Sequence, residues 1–495
     1  MARESYHSLP RSCGVLLHPT SLPGPYGVGD LGAPAREFVD FLAAAGQTWW
    51  QMLPVVPQGK SGSPYKSPSA FAGNPLLLSL EDLADEGLLS RGEIKPARGL
   101  DPKRVQYSAA WRLKKTRLLS ALERFDGDAS KEERRAFADF CRNEKAWLTS
   151  FALFRALSDA RKTTTWTKWP TALRHRRNPQ LGRARKRLAP AIRAEMFFQF
   201  VFFRQWRRLR AYARGRGVRL MGDLPIFVAH ESADVWARRG LFKLDASGRP
   251  TVVAGVPPDK FSRTGQLWGH PHYRWNVLRR RGYDWWIDRL EMAFRLFDAV
   301  RLDHFLGFLR AWEVPERART AREGQWAPGP GEELFRAARN RLGNRPLVAE
   351  NLGLVTAAAE DLRMRFGMPG MRILQFELED AGAVDAGDNV IYTGTHDNDT
   401  ALGWYRALTP PAKRRVRHLL GTRAGDLHWS MIEAAYASQA RIAIVPVQDI
   451  LGLGGAARMN RPGVARGNWA WRLRTGALKK KLASRLLRLA QAYYR

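Results

Sequence analysis

Apolar runs that end in polar residues recur along the chain in a pattern suited to a parallel α/β fold. Residues 14–19 (Gly-Val-Leu-Leu-His-Pro) read as a first strand, a Gly/Pro-rich loop follows through Asp30, and the spacing predicts a helix over 34–45. A second strand over 48–55 opens into the loop that holds Ser63-Pro-Tyr. Strand, loop, helix, strand is the unit of a parallel sheet. The next such run comes only at 218–226. The residues between, 56–217, are rich in Arg, Leu, Ala and Trp at helical spacing and read as a mostly helical insertion, far too long for a plain connection. A second insertion, 227–298, begins with polar loop material and ends in an amphipathic helix over 283–297. Beyond it the rhythm is regular, with strands at 299–308, 345–351, 371–376, 390–396 and 441–449 and helices at 356–366 and on towards 440.

Strands starting near residues 14, 48, 218, 299, 346, 371, 390 and 441 make eight, the number that closes a parallel barrel. The expected architecture is one (β/α)8 TIM barrel spanning 1–495, interrupted by the two insertions. Most strands end in polar residues (His18, Asp223, Asp303, Glu350, Gln375, His396, Gln448), as a catalytic rim requires. An open doubly wound sheet is the alternative, but no Gly-rich phosphate loop follows the first strand.

Three strand ends carry the chemistry. Residues 299–308 deliver Arg301, Asp303 and His304, residues 345–351 deliver Glu350, and residues 389–399 deliver His396 and Asp397. Asp, Glu and Asp round one pocket can supply a nucleophile, a proton donor and a stabiliser of positive charge, the set that retaining glycosidic cleavage uses. Arg301, two residues before Asp303, shares its face of a strand and is expected to lower its pKa, in a nucleophile or in a plain ion pair alike. Glu350, after Leu-Val-Ala, is expected to hold its proton to higher pH.

Composition narrows the setting. With 45% hydrophobic residues in 495, the chain can bury a large core. Lys and Arg number 81 against 47 Asp and Glu, a net charge of +34. Residues 161–220 hold 18 basic and one acidic residue, yet no nucleic-acid motif accompanies them, which argues against a nucleic-acid partner. Cys13 and Cys141 are too few and too distant for a disulfide framework, and the start of the chain lacks a leader-like apolar core, so a soluble cytoplasmic protein is expected, without membrane contact. The 393–399 segment lacks the Gly and spacing of a Ca²⁺ loop, and no metal or cofactor is expected. Eighteen Trp suggest sugar stacking, with Trp166, Trp169, Trp268, Trp326, Trp469 and Trp471 in apparent loops. Residues 265–273 and 458–469 are expected to be mobile walls over the site. Oligomeric state has no signature.

Eight pieces then match one family in order: Ser63-Pro-Tyr, Ser69-Ala-Phe-Ala-Gly-Asn-Pro, Gly222-Asp-Leu-Pro-Ile, Gly255-Val-Pro-Pro-Asp, Arg301-Leu-Asp-His-Phe, Ala349-Glu-Asn-Leu-Gly, Thr393-Gly-Thr-His-Asp-Asn-Asp-Thr and Arg458-Met-Asn. Over nearly its whole length the chain resembles the 4-α-glucanotransferases, or amylomaltases, of glycoside hydrolase family 77. That resemblance implies a (β/α)8 barrel without a C-terminal β-domain. It implies Asp303 as nucleophile, Glu350 as general acid/base and Asp397 as transition-state stabiliser. It places Ser63, Tyr65, Asp223, Arg301 and His396 around the substrate, with Trp268 and Asn460 in acceptor-side loops. The implied reaction is transfer of an α-1,4-glucan segment to the 4-hydroxyl of glucose or another glucan. Leu306 replaces a frequent Arg, Lys66 a frequent Gln, and His230-Glu231 a Tyr-Asp pair, departures that bear on chain-length preference. Competing readings are an α-glucan hydrolase with the same trio and a non-catalytic basic glucan- or nucleic-acid-binding protein.

Overall fold

The computed structural model describes residues 9–59, 61–95, 99–258, 262–380, 387–422, 426–464 and 466–495. The amino-terminal segment 1–7, Asp259 of the Gly-Val-Pro-Pro-Asp piece and Ala465 of the 458–469 segment lie outside the described residues. Among the described residues twelve strands run in chain order: β1 Ser12–Leu16, β2 Trp49–Gln51, β3 Arg219–Leu224, β4 Val252–Val256, β5 Gln266–Pro271, β6 Ala299–Leu302, β7 Arg310–Pro315, β8 Gln325–Pro328, β9 Leu347–Ala349, β10 Gly370–Ile373, β11 Asn389–Tyr392 and β12 Ile442–Pro446. Eight of them are parallel neighbours in the order β10-β11-β12-β1-β2-β3-β6-β9. The ends of that order meet where Ala349 N–H donates to the Pro369 carbonyl at 2.8 Å and Met371 N–H to the Asn351 side-chain oxygen at 2.7 Å. A Cβ on Gly370 would lie 2.6 Å from the side-chain oxygens of both Asn351 and Asn389, so this seam has room only for glycine. The result is a (β/α)8 barrel.

The barrel interior is apolar, filled by Leu16, Trp49, Met221, Ala299, Val348, Met371, Tyr392 and Ile444 among others. Outside, the helices Leu427–Ala437, Lys480–Ala492, Ala33–Ala44, Ala189–Gly215, Asp284–Leu296 and Glu332–Leu342 touch one another in that order. Each turns its apolar side inward, and they bury aromatic clusters such as Trp206 on Phe297 and Trp285 beside Trp286.

Strands stop earlier than the apolar pattern predicts. Residues 374–379 and 447–450 are helical turns, so Gln375 and Gln448 sit beyond their strands. Once the chain rises past the rim it loses its neighbour's ladder, and turns satisfy the backbone instead. The pattern also misses a second sheet, antiparallel, in the order β5-β4-β7-β8, which joins residues from either side of β6. Trp268 therefore stands in a strand rather than a loop. Trp166 and Trp169, read as loop residues open to sugar, are 0% and 3% exposed and belong to the core.

The helix Tyr107–Asp128, between β2 and β3, is fastened to the barrel by Lys114, whose side chain is 0% exposed. Its ammonium donates to Asp30 at 3.0 Å and to the Leu76 and Leu78 carbonyls at 2.8 and 2.7 Å. Replacing it strands a buried carboxylate and two carbonyls. Lys114→Met is expected to cost about 3 kcal/mol, read by urea denaturation, and a loss under about 1 kcal/mol would show that the ion pair is not what fastens this helix.

Candidate active site

Strand register assembles the site. Asp223 on β3 is the direct lateral partner of Arg301 on β6, and Leu302 on β6 is level with Ala349 on β9, so Asp303 and Glu350 emerge side by side at the rim. Glu350 N–H donates to the Leu302 carbonyl at 3.1 Å, and Phe305 N–H to the Glu350 carbonyl at 3.1 Å, which locks the two strand ends together.

One guanidinium then meets three carboxylates. Arg301, its side chain 3% exposed, donates through Nη1 to Asp223 at 2.6 and 2.7 Å and to Asp303 at 3.0 Å, and its Nη2 lies 2.9 Å from Glu350 Oε2. Its Nε faces Met371 Sδ at 3.4 Å. His304 adopts a left-handed backbone (φ 51°), which aims its N–H at Glu350 Oε2, 2.6 Å away. A non-glycine residue held in that region is strained, and here the strain adds a donor to the acid.

A second network holds the opposite wall. The Tyr65 hydroxyl donates to Asp223 at 2.7 Å and lies 2.9 Å from His396 Nε2, and the two rings stack at 5.4 Å. His396 Nε2 is 3.5 Å from Asp397 Oδ1, which also accepts from the Asn460 amide at 2.6 Å. Ser63 supports this wall indirectly, its hydroxyl accepting from Tyr65 N–H at 3.3 Å. Trp268 meets the His304 ring edge-on at 4.8 Å. All ten residues singled out in the sequence thus gather at one end of the barrel.

The sequence reading underweights three supports. Arg458 donates to the carbonyls of Asp397 and Asn460, both at about 2.6 Å or just under, and so ties the two loops together. Trp469, itself left-handed (φ 64°), packs on Tyr65 and His396 at 5.7 and 5.9 Å. His304 acts through its backbone, a role that no side-chain pattern announces. Arg458 begins a motif and was within reach of sequence reasoning.

Electrostatics overturn one expectation. Desolvation deep in the rim, and next the Glu350 carboxylate, hold the Asp303 carboxyl well above its ordinary range, although Arg301 pulls it the other way. Asp303 therefore holds its proton to higher pH than an exposed carboxyl would. Burial chiefly, and then Asp223, push the Tyr65 hydroxyl well above its usual value, so it stays a donor. Among the described residues no group of three or more His, Cys, Asp or Glu is placed to hold a metal ion.

A (β/α)8 barrel whose C-terminal rim gathers an acid pair, a third carboxylate and flanking aromatics defines the glycoside-processing barrel enzymes. The profile of 4-alpha-glucanotransferases, glycoside hydrolase family 77, matches residues 17–479, and the chain belongs to this family. It is similar to the 4-alpha-glucanotransferase of Thermus thermophilus, 48% identical over 98% of this chain and 99% of that one. It is likewise similar to that of Synechocystis, 43% identical over 98% of each. Among solved structures it resembles the amylomaltase of Streptococcus agalactiae in complex with acarbose, with a TM-score of 0.94 at 35% identity, covering 98% of this chain and 99% of that one.

The sign of a charge test follows from the raised Asp303 pKa. A group that binds its proton more tightly folded than unfolded supports the fold at low pH and loses that support as pH rises through its folded value. Taking away the Arg301 charge raises Asp303 further. Arg301→Gln is expected to be about 3 kcal/mol less stable than wild type at pH 8, with a smaller deficit at pH 5. A deficit independent of pH in urea titrations would show that the guanidinium does not balance these carboxylates.

Proposed function

We propose that this chain transfers segments of α-1,4-glucan to the 4-hydroxyl of glucose or of another α-1,4-glucan, with retention and in two displacements. The observation that carries the reading is the single guanidinium shared by Asp303 and Glu350, which fixes the two carboxyl groups side by side at the rim. Family membership supports the same reaction.

In the first displacement Asp303 Oδ2, the oxygen not engaged by Arg301, attacks the anomeric carbon. Glu350 gives its proton to the departing glycosidic oxygen. The carbon–oxygen bond breaks, leaving a glycosyl ester on Asp303 and a released reducing-end fragment. The electron-poor anomeric carbon favours Asp303 in its ionised form, which leaves Glu350 the role of proton donor. Glu350, now a carboxylate, then takes the proton of the incoming 4-hydroxyl, whose oxygen displaces Asp303. Arg301 and the His304 N–H hold Glu350 in place through both steps, and Asp397, held by Asn460, faces the charge that builds on the ring. Tyr65, Asp223 and His396 bind the hydroxyls of the cleaved sugar, and Ser63 sets Tyr65.

Transfer outruns hydrolysis when sugar fills the acceptor side better than water does. Trp268, braced on His304, offers a ring face there, and Asn460 anchors the facing loop. No helix among the described residues is long and apolar enough to cross a membrane. We propose maltotriose and longer glucans as the substrates and the cytoplasm as the place of action.

Maltotriose alone should yield glucose and a ladder of longer chains with little gain in reducing ends. Rising reducing ends without longer products would mean a hydrolase. Asp303→Ala and Glu350→Gln should each lower transfer by about 10³-fold or more while leaving Tm within a few degrees. Near-normal transfer in either would remove that residue from the mechanism.

A further inference from the structure

Beside the cleft, residues 174–187 and Arg239 build a cationic patch that the reaction does not use. Arg239 lies 2.6 Å from His175 Nδ1 and caps the Trp166 ring at 5.6 Å, and Arg176 caps Trp236 at 4.4 Å. Arg177 and Arg185 are exposed. Among the described residues none of Arg174, Arg176, Arg177, Arg185 and Arg239 forms an ion pair, in a protein where Arg301, Arg204 and Arg210 all do. Arg174 Nη1 donates to the Thr167 carbonyl and Arg176 Nη2 to the Ser150 hydroxyl, both at 3.3 Å, while Nε of Arg174 and Nη1 of Arg176 are buried with no hydrogen-bond partner, so only neutral groups meet these charges. Like charges without a counter-ion are costly, and an anion relieves that cost. Burial and then Arg185 and Arg238 pull Arg176 below the usual guanidinium range, as expected of a cluster lacking its counter-charge.

On the other side of Trp166 from Arg239 lies a groove of about 800 Å³ that runs from Trp268 and His270 past Lys66 to Thr164, His230 and Glu231, lined by none of the patch arginines themselves. His230 links the two, since its ring meets Trp166 at 5.2 Å and its carbonyl accepts from Trp166 Nε1 at 2.8 Å. We propose that the groove and patch together bind α-glucan chains carrying phosphate monoesters, with the glucan along the groove and the phosphate on the arginines. The inference rests on the glucan reading of the cleft. A guanidinium fork matches phosphate oxygens in pairs. The groove itself mixes Lys66, Lys115, Arg155 and Lys162 with Asp159 and Glu231, and Asp159 is paired with Lys115, so the uncompensated positive charge lies on the arginine patch rather than along the groove. A mostly neutral chain with sparse esters matches that division, and a polymer charged at every unit is the competitor the test must exclude.

The test compares KM on a maltodextrin bearing glucosyl 6-phosphate esters with KM on the same preparation after phosphatase treatment. Wild type should show a KM at least about fivefold lower on the phosphorylated form at low salt. The gap should close to under about twofold in Arg176→Gln, in the surface variant Arg177→Gln/Arg185→Gln, and in 0.5 M KCl. Equal KM values for the two glucans in wild type would overturn the proposal. So would RNA displacing the phosphorylated glucan at matched phosphate concentration, which would make the patch a general polyanion surface. Maltotriose, which carries no phosphate, reports separately on the transfer reaction, so its failure and the failure of this proposal are told apart.

Discussion

Everything at the rim depends on one buried positive charge. Arg301 stands on a strand whose neighbours supply Asp223 on one side and Glu350 on the other, while Asp303 follows two residues later on the same strand. Three carboxylates at this depth could not all ionise beside one another without it. Because a guanidinium is planar and stays charged, it fixes direction as well as charge, and Asp303 and Glu350 inherit their relative orientation from its two terminal nitrogens. The second network, through Tyr65 and His396, hangs on the same charge by way of Asp223, so the two walls of the cleft are electrostatically one unit.

The sequence was informative wherever a short apolar run ended in a charged residue. All eight barrel strands lie where those runs predict them, and the residues picked from strand ends and loops converge on one site. It was poor where tertiary contact decides. The length of β10 is set by where its neighbours stop, so the apolar stretch through Phe376 looked like strand and became a helical turn. The sheet of β4, β5, β7 and β8 escaped because its strands come from both sides of β6, with polar residues among them. Trp166 shows the same limit from another side. Flanked by polar residues in sequence, it is buried by partners far along the chain.

Charge was the other partial reading. Expecting Arg301 to keep Asp303 acidic was right about the contact and wrong about the balance, because burial and Glu350 outweigh one shared cation. Sequence spacing reveals which groups meet, but depth below the surface sets which influence wins. The basic excess divides in a similar way. Several arginines are spent on internal carboxylates or backbone carbonyls, as Arg210 and Arg495 are, whereas the 174–187 cluster has no carboxylate partner among the described residues.

The seam between β9 and β10 gives the barrel a directional stiffness. Asp303 follows a strand laddered on both flanks, whereas Glu350 follows one whose outer flank is held by the Ala349 backbone bond and the Asn351 side chain. A cylinder stitched unevenly deforms first along its weakest stitch. On the proposed mechanism the attacking oxygen follows the strand laddered on both flanks and the proton carrier the one beside the seam, the two strand ends being joined by the Glu350 and Phe305 backbone bonds. A residue that must serve two oxygens in succession thus sits next to the looser stitch, and the ester on the firmer one.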